Sequence, residues 1–417
     1  MKKMFFASAL AVGLLAACSN EDVVTSVPDG GAAEAGLVPV ELAMKAPVSI
    51  VTRGMGTVGG LVSDAENNIW RGETLYFNMY MKKTALGRDT LGTSYWVNVD
   101  EMGTEVPVYN FNNEPIAISS DELAEDPTVA VVKGTGAKYY PQDGTRHDFF
   151  AYRIDDAAVE TDDLGRPVIH DEVDAEGVRI LQKSVNFVID GSQDLMVGQA
   201  DPDLTEDAYS AKSARAGVVP QIKMEHLLTR FTFEVVAGDK TADGLQVQKV
   251  SVVSKNTGRM IMAWNPNQAP DMDGKIIWDA DAEPVDLVLK QRPALEGGEP
   301  VYLQPLEDMA PVNLGWNPEP DAVQEVVPVG EALMVAPMES EYLVHITTRQ
   351  QIEDGTTNTY VSEGKIKITA DGQPSVARPG TSYKVTVKLY GLSKIELTTK
   401  LTGWASGEDI NVDTATD

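Results

Sequence analysis

The sequence contains one cysteine, Cys18, in 417 residues. That excludes an intramolecular disulfide and any metal centre built from several thiolates. A secreted chain of this size without disulfides is held by apolar burial and sheet hydrogen bonds. Histidine is scarce as well. His147, His170, His226 and His345 are the four present, and no pair has the His-x-x-x-His spacing of a zinc site. Basic residues are few: 34 Lys and Arg stand against 63 Asp and Glu, a net charge of −29. Such a surface repels phosphate backbones, so nucleic acid is excluded as a partner. It also repels anionic lipid, so a membrane link has to be covalent. There is no Gly-x-Ser-x-Gly elbow and no phosphate-cradling glycine loop. Neither a cofactor nor an enzymatic activity is expected.

What is present begins at the N-terminus. Lys2 and Lys3 precede an uncharged apolar stretch from Met4 to Ala17, too short to remain as a membrane-spanning helix. It runs into Leu15-Ala16-Ala17-Cys18, which resembles the lipobox of bacterial lipoproteins, where the cysteine thiol takes a diacylglycerol. The plainer alternative is a secretory signal with an incidental cysteine. Ser19-Asn20-Glu21-Asp22 resembles the acidic tag that sends some Gram-negative lipoproteins to the cell surface. Residues 1–17 are therefore read as signal peptide and residues 18–53 as a Gly-, Ala- and acid-rich propeptide. The propeptide is expected to contribute one strand, Val38 to Leu42 or Val48 to Val51.

Beyond it the pattern is strand after strand. Thr74 to Met81, Ser94 to Val99, Val129 to Val132 and Phe149 to Tyr152 are dense in β-branched and aromatic residues. Turns rich in Gly, Asp, Asn and Pro separate them. The polar stretch Ala200 to Gly217, a short helix or a linker, interrupts this and places a domain boundary near residue 215. The second half opens with His226 to Val236. Val247 to Ser254, Val285 to Leu289, Tyr342 to Thr348, Lys365 to Thr369, Tyr383 to Tyr390 and Ile395 to Leu401 follow. Long helices with a 3.6-residue period are scarce. Short strands every ten residues or so argue an all-β fold of two tandem sandwiches, residues 54–214 and 215–417.

Candidate chemistry is thin. His226 and His345 lie within strand patterns and read as hydrogen-bonded structural residues. Ser382 reads as the start of a strand after the Pro379-Gly380 turn. The acid clusters Asp155-Asp156, Asp162-Asp163, Asp171 to Glu176 and Asp279 to Glu283 read as solvated surface. Pro284 follows Asp279-Ala-Asp-Ala-Glu283 where a calcium loop needs glycine. Trp70, Tyr95, Trp96, Tyr139 and Tyr140 suit sugar stacking but equally core packing.

Several segments taken together resemble the fimbrillin family, the pilin subunits of type V fimbriae. They are Lys138-Tyr-Tyr-Pro-Gln-Asp-Gly-Thr-Arg-His-Asp-Phe-Phe-Ala-Tyr152, Asp194-Leu-Met-Val197, Met224-Glu-His-Leu-Leu-Thr-Arg-Phe-Thr-Phe233, Leu333-Met-Val-Ala-Pro337, and Arg378-Pro-Gly-Thr-Ser-Tyr383 through Trp404. The resemblance implies transthyretin-like sandwiches and export as a lipid-anchored precursor to the outer membrane. It implies cleavage by an arginine-specific protease after lipoprotein signal peptidase has acted. Polymerisation with other fimbrial subunits follows, a strand of the next subunit filling the vacated groove, and the fimbria mediates adhesion at the cell surface. Arg53, before Gly54, stands at the processing position; Arg71, closer to the first strong strand, competes with it, and the plainer reading of Arg53 is an ordinary loop residue. The candidate donor strand runs from Ile395 to Val412, with Leu397 and Leu401 and, past Trp404, Ile410 and Val412. Its rival reading is the closing strand of its own sheet. The rival function is a non-polymerising surface lipoprotein, either a fimbrial anchor or a glycan-binding module.

Overall fold

Alternation of apolar and polar side chains produces strands almost throughout, and the chain is nearly all β. The computed structural model describes residues 38–45, 62–63, 68–85, 88–91, 97–99, 105–107, 111–121, 129–132, 138–140, 146–173, 175, 180–201, 209–264, 270–291, 306–319, 322–351, 355–370, 373–391 and 394–402. Cys18, Arg53, Gly54, Tyr95, Trp96, Ile410 and Val412 lie outside the described residues, as does the alternative first strand Val48 to Val51. All described residues fall in one compact unit, residues 37–417.

The first half supplies β1 (Leu42–Lys45), β2 (Arg71–Ala85), β3 (Arg88–Leu91), β4 (Glu114–Ser119), β5 (Val129–Val132), β6 (His147–Arg153), β7 (His170–Val173), β8 (Ile180–Val188) and β9 (Met196–Ala200). A one-turn helix, α1 (Ala211–Arg215), starts at Ser210. The Ser210 side chain accepts the Ser213 N–H, and the Ser213 side chain accepts the Ser210 N–H in return, a capping box that satisfies two otherwise orphaned donors. Of the two readings of the Ala200 to Gly217 stretch, a short helix or a linker, the helix is present at Ala211–Arg215. Next come β10 (Gln221–His226), β11 (Thr229–Ala237), β12 (Leu245–Ser254), β13 (Thr257–Trp264), β14 (Ile276–Trp278), β15 (Val285–Val288), β16 (Val326–Val335), β17 (Glu341–Gln351), β18 (Thr357–Lys367), β19 (Ser382–Tyr390) and β20 (Lys394–Thr402).

The first sheet has the order β5-β1-β10-β9-β6-β2-β3, with β4 also on β2. Its central strand β6 is buried along its whole length, because both faces are covered. Phe149 and Ala151 enter one core with Phe77, Met196 and Met224. Phe150 and Tyr152 enter a second with Tyr80, Val197 and Trp264. That second core is shared with the sheet β7-β8-β13-β14. A third core lies between the sheets β16-β11-β19-β20 and β15-β12-β17-β18. Phe231, Phe233 and Val235 meet Val250, Val252, Val344 and Ile346 there.

Three pairings cross the expected boundary near residue 215, one of them that of β1 with β10. β10, after that boundary, is hydrogen-bonded to β9 of the first sheet. β13, later still, pairs with β8 over Gln182 to Val188. The single strand expected from His226 to Val236 is broken at Leu227-Leu228. Leu227 N–H donates to Leu195 O and Leu228 O accepts from Gly380 N–H, both at 2.9 Å. These two residues carry the chain from the first sheet to the third core.

Candidate functional site

The segment Val38 to Lys45 precedes Arg53 in the chain, and its strand β1, Leu42–Lys45, lies between two other strands of the first sheet. Leu42–Lys45 pair antiparallel with Val129–Val132, while Ala43–Lys45 pair in parallel with Gln221–Lys223. Upstream, Val38 and Pro39 face Tyr140 and Tyr139, and Val40 N–H donates to Lys138 O at 2.9 Å. β1 alternates strictly: Leu42 and Met44 are 1% and 0% exposed and pack with Ala130, Ile222 and Met224. Short as it is, β1 has ladders on both sides and two side chains in the core. Withdrawing it would leave two strand edges with unpaired backbone groups and an apolar trough between them. The strand anticipated at Val38 to Leu42 is present, shifted towards Lys45.

At the other end of the chain, β20 forms a nine-residue antiparallel ladder with β19. Leu397 is buried, and Ile395 and Leu401 pack against the third core. Thr399 Oγ1 donates to Lys367 O at 3.1 Å, joining β20 to β18 of the facing sheet. Ile395, Leu397 and Leu401 therefore sit in the closing strand of their own sheet, the rival reading given for this segment. The reason is physical: their apolar face is already used by the chain's own core.

Two of the segments quoted for the fimbrillin resemblance, Asp194 to Val197 and Met224 to Phe233, meet Arg153 and Asp155 in a buried charge cluster where the chain passes from β10 to β11. Arg153 Nη2 donates to Asp155 Oδ1 at 3.0 Å. Asp155 Oδ2 accepts the Asp194 N–H at 3.2 Å. Arg153 Nη1 lies 4.0 Å from Asp194, and His226 Nδ1 lies 2.8 Å from Asp194 Oδ2. Arg230, 2% exposed, adds a further cation near Asp194 and Glu331, and burial pushes its guanidinium down to about 10. Burial also raises the Asp155 carboxyl to about 7, against the pull of Arg153. Asp155, read from the sequence as solvated, is thus an exception: its side chain is 5% exposed, because Ile154 and Ala157 on either side enter the second core and draw the turn inward.

The other candidates resolve simply. His345 Nδ1 contacts Asp286 at 2.7 Å, and His170 Nε2 contacts the Asn186 amide at 3.3 Å. Ser382 is fully buried at the head of β19. Trp70 and Tyr140 are each 1% exposed and belong to the core. Asp162 holds Arg166 through its carboxylate at 2.7 Å. Among the described residues, no group of three or more His, Cys, Asp or Glu side chains is placed to hold a metal.

A groove of about 590 Å³ lies on the sheet β7-β8-β13-β14, walled by Ala158 to Glu160 and floored by residues of β8, β13 and β14. It was not anticipated, since its parts are scattered between residues 158 and 279.

No protein-family profile matches the chain, and no curated protein matches it. Solved structures do. A fimbrial protein from Bacteroides vulgatus is 14% identical over 79% of this chain and 93% of its own, with a TM-score of 0.41. A candidate cell adhesion protein from Bacteroides uniformis is 13% identical over 90% of this chain and all of its own, with a TM-score of 0.39. The fimbrial anchor protein Mfa2 from Porphyromonas gingivalis is 8% identical over 90% of this chain, with a TM-score of 0.29. The structural neighbours are fimbrial proteins and candidate adhesins. Likenesses of this size carry no argument about activity on their own.

Proposed function

We propose that this chain is a structural subunit of a surface fimbria, built as tandem transthyretin-like sandwiches and assembled by strand exchange. The observation that carries the reading is the position of β1. A strand from the segment ahead of Arg53 lies between two other strands of its sheet and puts alternate apolar side chains into the core. Cleavage after Arg53 would release it and leave a slot with two backbone edges. Another subunit's strand restores both ladders and fills the Leu42 and Met44 positions, the logic of strand addition at sheet edges. Ile410 and Val412 have the same i, i+2 spacing as Leu42 and Met44. β20 is committed to its own sheet, which favours a donor from the residues beyond Thr402 in this reading. In this reading Cys18 carries the lipid of an outer-membrane precursor, and the protein acts by assembly rather than by catalysis.

The test is size-exclusion chromatography and electron microscopy of precursor, trypsin-trimmed protein, Arg53→Ala and Val412→Asp. Precursor should be monomeric and trimmed protein should form strand-linked oligomers. Val412→Asp should stop assembly, because an unpaired charge in an apolar slot costs several kcal/mol. Trimmed protein that never oligomerises, or Arg53→Ala cells that still carry fimbriae, would leave a lipid-anchored, non-polymerising surface protein as the better reading.

A further inference from the structure

We propose that the groove on β8, β13 and β14 binds a neutral oligosaccharide. The register fixes which side chains share its floor. Asn186 stands opposite Arg259, and Arg259 opposite Ile277, so the three project from one face of the sheet. Val188, two residues on from Asn186 and bridged to Ala158, is on the same face. Val188 and Ile277 are 41% and 40% exposed, an apolar floor suited to the C–H face of a sugar ring.

The polar groups around that floor are both donors and acceptors, and they are held in place. Asn186 is fixed by His170 at 3.3 Å. Arg259 is fixed by Glu172 at 2.9 Å. The Glu160 wall is pinned next to Val188 by two backbone bonds between Ala158 and Val188, at 2.9 and 2.8 Å. At the far side the Asp279 N–H donates to Thr257 O at 3.0 Å. Preorganised amide, carboxylate and guanidinium groups match the hydroxyls of a glycan without reordering on binding. A volume near 590 Å³ falls in the range of small-molecule sites.

Charge and backbone rule against the competing occupants. Arg259 is paired with Glu172 and Glu160 faces the His170 ring at 3.9 Å, so the carboxylates of the lining outnumber its permanent cation. Together with the net charge of −29, this disfavours sulfated, sialylated or phosphorylated ligands. A peptide strand would add at an edge, whereas Asn186, Arg259 and Ile277 project from the sheet's face, over the ladders that join β8, β13 and β14, and the outer edge of β14 lies to their side. The inference is independent of polymerisation, because the groove is formed within one chain.

The experiment is saturation-transfer NMR and calorimetry on the full chain. Cellotetraose, xylotetraose, mannotetraose and lacto-N-tetraose are the neutral probes; sialyllactose and a heparin tetrasaccharide are the anionic ones. At least one neutral probe should bind. Asn186→Leu and Ile277→Asp should each weaken it tenfold or more, and Glu160→Gln, on the exposed wall, reports the same site if either of those lowers the melting temperature. The proposal is overturned if no neutral probe binds, if only an anionic one does, or if all three variants bind as the native chain does.

Discussion

His226 and Asp194 meet at 2.8 Å in a setting where their side chains are only 5% and 6% exposed. The carboxylate accepts from Nδ1, faces Arg153 at 4.0 Å and lies close to Arg230. One carboxylate thereby ties together side chains of β6, β10 and β11, the strands through which the chain leaves its first sheet. Removing one partner of a buried ion pair strands the others and typically costs about 3–5 kcal/mol. Asp194→Ala should lower stability by an amount of this order, seen as a reduced urea midpoint. A loss below about 1 kcal/mol would show that water reaches the cluster.

Asp155 predicts a pH dependence of definite sign. Its folded-state value, raised to about 7 by burial, lies above that of an unfolded aspartate, about 3.9. The folded chain therefore holds this proton more tightly. The stability it contributes is complete below about pH 4 and is lost as pH rises towards 7, with an upper limit of roughly 4 kcal/mol. Asn tolerates the positive φ of 52° at this position. Asp155→Asn should flatten the fall in melting temperature between pH 4.5 and 7.5. An unchanged slope would assign that fall to self-repulsion of the acidic surface instead.

Much of the strand content was legible because period two survives locally. Leu245–Ser254, Ser382–Tyr390 and Lys394–Thr402 match expected strands to within two residues at either end. Burial of all seven residues of β6 was not legible, because Phe149-Phe150-Ala151-Tyr152 reads the same with one face covered or two. The insertion of β1 was hidden for a different reason. Four residues of alternation are a weak signal, and the parallel contact of Ala43 with Gln221 spans most of the first half of the chain. Asp155 misled because its solvated appearance came from composition, whereas its burial comes from apolar neighbours in a turn. The groove on β8, β13 and β14 depends on register, which composition does not carry.

Gly198, in β9, marks how closely the first sheet is packed beside the slot. A Cβ there would meet Lys223 O at 2.5 Å, Met224 Sδ at 2.8 Å and an Ile222 methyl at 2.9 Å. The obstructing carbonyl is backbone in β10, the strand that also borders β1. Gly198→Ala should destabilise the protein by about 1–3 kcal/mol, as overpacking does. It should also speed hydrogen exchange at Ala43 and Met44. Native exchange in β1 would show that β10 absorbs the strain without moving.

Met44 tests the slot itself. Its side chain is fully buried in the core of the first sheet, and truncating such a methionine to alanine costs about 2–5 kcal/mol. In precursor, Met44→Ala should lower the unfolding midpoint by that amount. In trimmed protein, from which residue 44 has gone, it should have no effect on oligomer stability. An effect on trimmed oligomers would mean that β1 remains in place after cleavage.

Two truncations separate the closing strand from the proposed donor. Residues 394–402 belong to the fold: β20 pairs with β19 over nine positions, buries Leu397, and sets Ile395 and Leu401 against the third core. A chain ending at residue 393 loses that ladder and those side chains, which at roughly 1.5–3 kcal/mol per buried aliphatic residue is a large share of a domain's usual 5–15 kcal/mol. It should unfold its C-terminal sheets, seen by loss of near-ultraviolet circular dichroism. A chain ending at Thr402 keeps β20 whole and discards Ile410 and Val412. It should melt within a few degrees of the native precursor yet fail to polymerise after trimming at Arg53. If that shorter chain still polymerises, the donor is β20 or another element altogether, and the residues beyond Thr402 have no part in the joint.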